Sequence, residues 1–154
     1  MEIECIDHVN IVVDDLSRMT EFYTSILGMK TVRKVTISGE WVNAVVGLKD
    51  VVADVLFLSC SSGANIELIQ YRSPAPVMLE GLGRPHIKGI RHIAFRVTDI
   101  EALVTRCQSS GVDFVSGVQD VPLGQVSFEG QARKRLIYFH DPEGNLLEFC
   151  AYVR

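Results

Sequence analysis

The chain has 154 residues, of which 47% are hydrophobic and 22% charged, a composition that fits a globular protein of one compact domain or two small units and excludes a disordered chain. Its 15 Lys and Arg against 19 Asp and Glu give a net charge of −4 without a basic block, so nucleic acid is not expected as a partner. No stretch approaches the roughly 18–20 apolar residues of a membrane span, and the start of the chain is acidic, so we expect a soluble, cytoplasmic protein with no membrane partner.

The first half of the chain is predicted to form a βαβββ module. A β-branched strand that contains His8 precedes an acidic helix start, and apolar residues then recur at helical spacing from Leu16 until Gly28 ends the helix. The closing strand carries one acid, Glu67, among apolar residues. The predicted strands of this half are residues 6–13, 31–37, 51–58 and 65–69.

The second half repeats this pattern. Its opening strand places His92 at an offset of 84 from His8, and its closing strand places Glu148 at an offset of 81 from Glu67. The predicted strands of this half are residues 90–97, 112–115, 134–139 and 146–150. Between the halves, a Pro- and Gly-rich stretch is typical of a linker, so we predict modules over 1–72 and 90–154 joined by a linker over 73–89.

One such module would leave a sheet face uncovered and would be marginally stable alone. We therefore predict an α+β fold in which the two tandem βαβββ modules pair and form a curved, partly open mixed β-sheet around a cleft. A cleft of this kind is where a small-molecule ligand is expected to bind.

Two histidines and two carboxylates are predicted to reach the concave side of this sheet. Strand alternation puts His8 and His92 on the face away from the helices. Glu67 and Glu148 lie in strands that read as buried on both faces, where a lone carboxylate costs several kcal/mol unless it is paired or metal-bound. The alternative for each residue alone is ordinary core pairing, with either glutamate bound to Arg96 or Lys134.

Because both residue types recur in duplicated register, we predict that all four bind one divalent ion, which could be Zn, Ni, Co, Mn or Fe. The predicted metal ligands are His8, Glu67, His92 and Glu148.

At these residues the chain resembles the vicinal oxygen chelate superfamily, which includes glyoxalase I, methylmalonyl-CoA epimerase, extradiol dioxygenases and bleomycin-binding proteins. The resemblance covers essentially the whole chain. It rests on four motifs: Asp7-His8-Val9, Phe22-Tyr23 with Leu27-Gly28, Arg91-His92-Ile93-Ala94-Phe95, and Asp141-Pro142-Glu143-Gly144-Asn145 before Glu148. It implies paired modules, often in a homodimer, with a metal in the cleft. The His, Glu, His, Glu set looks most like bacterial-type glyoxalase I, whereas the connection between the halves looks more like the epimerase branch.

The resemblance implies isomerase, epimerase or lyase chemistry on a small carbonyl substrate through a metal-stabilised enolate. The base could be Glu67 or Glu148, because a carboxylate that releases the metal can take a proton. Asp54 is a further candidate base, with a solvated surface acid as the alternative. Asn10 and Arg96 are candidate substrate-binding residues because they share a face with His8 and His92; Arg96 could instead pair with a core carboxylate.

Two other functions stay open. A drug-sequestering or other small-molecule binder would need no metal and no catalysis. An Fe-dependent extradiol-type dioxygenase would need three open positions on its metal, and four protein ligands on an octahedral ion leave two. That count favours proton-transfer chemistry over oxygen activation.

Overall fold

The computed structural model describes residues 2–122, 124–125 and 133–153. The chain divides into two compact units, Met1–Met78 and Leu79–Arg154. The division falls inside the stretch whose composition predicts a linker. None of the helices among these described residues is long and apolar enough to cross a membrane.

The first unit is a four-stranded mixed sheet with helices. The strands run in the spatial order β1-β4-β3-β2, with β1 parallel to β4 and the other pairs antiparallel. The elements are β1 (His8–Val12), α1 (Leu16–Glu21) with a π-helical continuation over Phe22–Ile26, β2 (Lys30–Ser38), α2 (Glu40–Val46), β3 (Val52–Ser59) and β4 (Asn65–Ser73).

The two faces of this sheet have different roles. Helix α1 begins where the Asp15 side chain accepts a hydrogen bond from the Arg18 amide, and it buries Leu16 and Met19. Gln70 of β4 bonds to the chain at the start of this helix, which identifies the helix-side face of β4. The opposite face carries an apolar cluster of Ala53, Val55 and Ile69, with Val35, Ile37, Phe57 and Tyr71 packed against it.

The second unit repeats the same architecture. Its strands run in the order β5-β8-β7-β6, with β5 parallel to β8. The elements are β5 (His92–Arg96), α3 (Ile100–Ser109), β6 (Gln119–Asp120), β7 (Arg133–His140) and β8 (Leu146–Val153). Its helix-side face is packed by aromatic rings, with the Phe139 and Phe149 centroids 4.3 Å apart.

These observations confirm the α+β class and the tandem mixed-sheet modules, with two corrections. The strand predicted over 112–115 is wrong: the Val112 amide closes the end of α3 by bonding to Cys107, and only Phe114 makes a bridge, to Phe139. The strand that pairs with β7 comes later, as β6. Helix α2 was not predicted, because its seven residues are too few to show a helical period.

Part of the predicted linker is packed against the second unit. The His140 ring nitrogen Nε2 lies 3.0 Å from the Gly83 carbonyl oxygen. A Cβ atom on Gly83 would lie 2.7 Å from the Gly144 carbonyl oxygen, so only glycine fits at this contact. The stretch around Gly83 therefore belongs structurally to the turn between β7 and β8.

Candidate functional site

The parallel pairing of β1 with β4 brings His8 and Glu67 together in the first unit. Asn10 is the direct neighbour of Glu67 in this ladder, and its amide nitrogen donates a hydrogen bond of 2.6 Å to Glu67 Oε2. The same carboxylate oxygen lies 3.6 Å from His8 Nε2. Glu67 therefore meets a neutral amide and an imidazole on the face away from α1.

Asp7 orients the His8 ring. His8 Nδ1 lies 2.7 Å from Asp7 Oδ2, and donation from Nδ1 leaves Nε2 as the nitrogen that faces Glu67. The hydrogen bond with Asp7 raises the pKa of His8 above its usual 6.5, against the opposing effect of burial, and the charge of Glu67 adds to the rise. A carboxylate behind an imidazole is a common support for a metal-binding histidine.

The second unit holds the matching pair, His92 and Glu148. His92 Nε2 lies 3.3 Å from Glu148 Oε2. Ala94 stands next to Glu148 in the ladder, where Asn10 stands next to Glu67. The Glu148 side chain is only 3% exposed, so its charge must be met by neighbouring groups.

Lys134 and Tyr138 on β7 are those groups. Lys134 Nζ lies 2.9 Å from Glu148 Oε1, and Tyr138 stands directly across from Glu148 in the ladder. Burial would lower the pKa of Lys134, but the hydrogen bond with Glu148 and the charge of that carboxylate raise it above its ordinary value. Burial, together with the Glu148 charge, raises the pKa of Tyr138. Lys134 and Tyr138 therefore stay protonated at neutral pH.

The His92–Glu148 separation falls in the range for two neighbouring ligands of one ion, and the His8–Glu67 separation is slightly longer. Donors about 2.1 Å from a metal lie about 3.0 Å apart at an octahedral angle and about 3.4 Å apart at a tetrahedral one. The two pairs are separated by 3.6 Å and 3.3 Å. Across the part of the chain that the structure describes, no group of three or more His, Cys, Asp and Glu side chains is placed to hold a metal. An ion shared by all four residues therefore stays a prediction.

Asp54 lies on the other face of its sheet. It stands opposite Gln70 in the ladder and three residues before Phe57, the direct partner of Glu67, so strand alternation puts Asp54 on the α1 side. Thr36 donates a 2.6 Å hydrogen bond to one carboxylate oxygen of Asp54, and Arg72 Nε donates a 2.7 Å bond to the other. The Thr36 hydrogen bond is the main reason that the pKa of Asp54 is lowered, with Arg72 adding to the effect and burial opposing it. These contacts give Asp54 a clear structural role within the first sheet.

Arg96 shares the face of His92 but lies further along β5. Its guanidinium carbon is 5.0 Å from the centroid of the Tyr152 ring, a cation–π contact. The partner of Glu148 is Lys134, one of the two cations that the sequence offered for that carboxylate.

Sequence reasoning missed the role of Tyr138 and gave Lys134 only as an alternative partner. The offset of 81 that relates Glu67 to Glu148 also relates Phe57 to Tyr138, and these two residues stand directly across from the glutamates in the ladders. The offset of 81 is visible in the sequence. Its meaning for Tyr138 became clear only from the strand pairing, which places Tyr138 opposite Glu148.

The site and fold agree with the comparison against protein families. Residues 5–149 match the family model described as Glyoxalase/Bleomycin resistance protein/Dioxygenase superfamily. The chain belongs to this family.

The chain is similar to proteins known by sequence and by structure. The uncharacterized protein YwbC of Bacillus subtilis is 30% identical over 148 residues, which cover 94% of each chain. A glyoxalase family protein from Bacillus cereus has a TM-score of 0.82 at 23% identity, covering 100% of this chain and 97% of that one. The trypanothione-dependent glyoxalase I of Leishmania major has a TM-score of 0.63 at 23% identity, covering 97% and 87%. These likenesses show the fold.

Proposed function

We propose that this chain is a metal-dependent enzyme that moves a proton at the carbon next to a carbonyl group of a small substrate, in an isomerase, epimerase or lyase reaction. The observation that carries the proposal is the duplicated His–Glu pair, at 3.6 Å in the first unit and 3.3 Å in the second. Membership of a family that includes glyoxalases and dioxygenases supports it. A soluble location in the cytoplasm and assembly as a homodimer are part of the same proposal.

His8, Glu67, His92 and Glu148 would hold the ion, as two imidazoles and two carboxylates suit several divalent metals. The ion, when bound, would polarise the substrate carbonyl and so acidify the neighbouring C–H bond. Glu148 is suited to remain a fixed ligand, because its side chain is buried and forms an ion pair with Lys134.

Glu67 is the better candidate for the base. Its side chain is 17% exposed, against 3% for Glu148, and it is held by the neutral amide of Asn10 rather than by a cation. A carboxylate that can move toward the substrate can accept its proton. Asn10 would guide that movement and contact the substrate, whereas Asp54 is left out of the reaction because it lies on the opposite face of the sheet.

The test is proton exchange with solvent. The chain, loaded in turn with Zn, Ni, Co, Mn and Fe, is incubated in D₂O with a panel of α-hydroxycarbonyl compounds and branched thioesters, and mass spectrometry reads deuterium beside the carbonyl. We expect exchange with at least one metal, and its loss in Glu67→Gln with the metal still bound. Asp54→Asn is the matched control and should retain exchange.

Two results would contradict the proposal and favour the other functions. A chain that takes up no metal on titration but binds small apolar molecules would be a non-catalytic binder. Oxygen uptake with a catechol, in place of deuterium exchange, would indicate a dioxygenase.

A further inference from the structure

The edge strand β2 carries two cations on the face of the first sheet that bears the His–Glu pair. Lys30 pairs with Ser59 on β3. Arg33 pairs with Phe57, so three steps along β2 correspond to two along β3, and Val32 is the extra residue of a β-bulge. Residues three apart in a regular strand point to opposite faces. The bulge therefore puts Lys30 and Arg33 on the same face.

That face is the one on which Glu67 lies. Phe57 is the direct partner of Glu67 in the ladder, and its ring packs edge-on to the His8 ring, with the centroids 6.2 Å apart. Arg33 therefore stands in the same cross-strand row as Glu67, two strand spacings or about 10 Å away between Cα atoms. Lys30 stands about 7 Å further along the edge, close enough for the two long side chains to contact one group.

Toward the other end of β2, the same face is filled by apolar packing. Val35 follows Arg33 by two residues and packs against the apolar cluster of the first unit. Val35 and Phe57 are half-buried, whereas Lys30 and Arg33 are exposed. A ligand that lies beside Glu67 and extends along this row therefore crosses Phe57 and meets the two cations.

Neither cation is committed to a carboxylate. Within residues 2–122, 124–125 and 133–153, the side chains of Lys30 and Arg33 make no ion pair or hydrogen bond. The adjacent Lys34 belongs to the opposite face, where it stands across from Leu56 and its charge acts on Asp54. The whole chain has a net charge of −4, so the two cations form a local positive region on an acidic protein.

We propose that Lys30 and Arg33 bind a phosphate group that the substrate carries. Two cations match the two negative charges of a phosphate monoester, and its oxygens accept hydrogen bonds from an ammonium and from a guanidinium. This inference rests on the proposed function, which puts the reacting carbonyl beside His8 and Glu67, and adds the class of substrate to it. The phosphate anchors the far end of the substrate, and an apolar part between the two ends lies over Phe57.

Phenyl phosphate provides the test in the metal-free chain, where no ion is present to bind the phosphate. An NMR titration at pH 8 and low salt measures Kd for phenyl phosphate, phenyl sulfate and inorganic phosphate. We expect phenyl phosphate to bind about fivefold more tightly than phenyl sulfate, which has one charge less, and than inorganic phosphate, which has no ring to contact Phe57. Lys30→Met and Arg33→Met should each weaken its binding about fivefold.

Lys34→Met is the matched control, because it removes the same charge from the same strand but from the opposite face, and it should keep the full affinity. An equal loss in all three variants would overturn the inference, since net charge alone would then account for binding. Equal binding of the three probes would also overturn it. So would a failure of phenyl phosphate to saturate, because the cations would then serve only to keep the edge strand from pairing with another chain.

A second measurement connects the phosphate site to the proposed reaction. The Zn²⁺-loaded chain is titrated with phosphonoalkyl hydroxamates of three and five carbons and with the corresponding alkyl hydroxamates, which chelate metals as an enediol does. We expect the phosphonate to improve the affinity about fivefold in the unmodified chain and in Lys34→Met, and to add nothing in Arg33→Met.

The two measurements separate this inference from the proposed function. A chain that binds no zinc would contradict the proposed function, and the metal-free titration would still decide whether Lys30 and Arg33 bind phosphate. Zinc binding with no gain from the phosphonate at either length would overturn the inference and leave the metal chemistry standing.

Discussion

At the scale of single residues, Glu148 is one of two acidic side chains that are buried in the described part of the second unit, the other being Asp141. The Glu148 side chain is 3% exposed, and Lys134 compensates its charge at 2.9 Å. Removing one member of a buried pair leaves the other uncompensated, which costs far more than the pair contributes. The stability of the metal-free protein should therefore depend strongly on Lys134.

We expect Lys134→Met to lower the free energy of unfolding of the metal-free chain by about 3 kcal/mol, measured by urea denaturation. Its neighbour Arg133 makes an exposed ion pair with Asp120, so Arg133→Met should cost less than about 1 kcal/mol. Adding Glu148→Gln to Lys134→Met should restore part of the loss, because it removes the unpaired charge. Similar losses in the two single variants would show that the pair is not effectively buried.

The lowered pKa of Asp54 predicts that the stability of the folded chain depends on pH. This pKa is lowered chiefly by the Thr36 hydrogen bond and also by Arg72, so the ionised form of Asp54 stabilises the folded state. That stabilisation is fully present above the usual pKa of 3.8 and is lost as the pH falls through the lower, folded-state pKa. Urea unfolding between pH 5 and pH 2.5 should show a steeper loss of stability in the unmodified chain than in Asp54→Asn. Parallel curves for the two proteins would contradict the contacts described for Asp54.

At the scale of elements, the sequence predicted the strands that carry the His–Glu pairs. It did not predict which residues of the neighbouring strands contact the glutamates. Alternation placed His8 and His92 away from the helices because one face of each opening strand is uniformly apolar. Lys134 could be named only as one of two possible partners for a glutamate, since the choice depends on which strands pair and in what register. The strand predicted at 112–115 failed for a related reason: its β-branched residues fit a strand locally, while the end of α3 uses the Val112 amide.

The turn between β7 and β8 fixes the start of the strand that bears Glu148. Asp141, which is 4% exposed, accepts hydrogen bonds from the backbone amides of Glu143 and Asn145 through Oδ1, and from the Asn145 side chain through Oδ2. Loss of these acceptors would leave several donors unsatisfied in a half-buried turn.

We expect Asp141→Ala to lower the free energy of unfolding by about 2–3 kcal/mol, and Asp141→Asn, which retains one carbonyl acceptor, to cost less. Asp113→Ala removes an exposed acid from the same unit and should change stability by less than about 0.5 kcal/mol. Thermal unfolding followed by circular dichroism measures all three. A loss in Asp141→Ala no greater than in Asp113→Ala would show that the turn forms without its side-chain bonds.

At the scale of the whole molecule, zinc binding distinguishes one ion shared by the two His–Glu pairs from one ion bound by each pair. A ligand that binds only the folded state stabilises it by RT ln(1 + [L]/Kd), about 2.7 kcal/mol at a hundred times Kd, which corresponds to a rise in Tm of about 5–10 °C for a chain of this size. One shared ion predicts a single equivalent of Zn²⁺ per chain. Two separate sites predict two equivalents and two independent contributions to the stabilisation.

Single and double histidine variants distinguish these arrangements. If one ion is shared, His8→Ala and His92→Ala should each abolish most of the zinc-induced rise in Tm, and the double variant should lose no more, because residues that serve one site are not additive. His86 is an exposed histidine that lies between Glu67 and His92 in the sequence, and His86→Ala should keep the full rise in Tm. Should each single variant instead keep one of two bound equivalents and about half of the rise, the two pairs would be separate sites and the proposed common metal centre would be wrong.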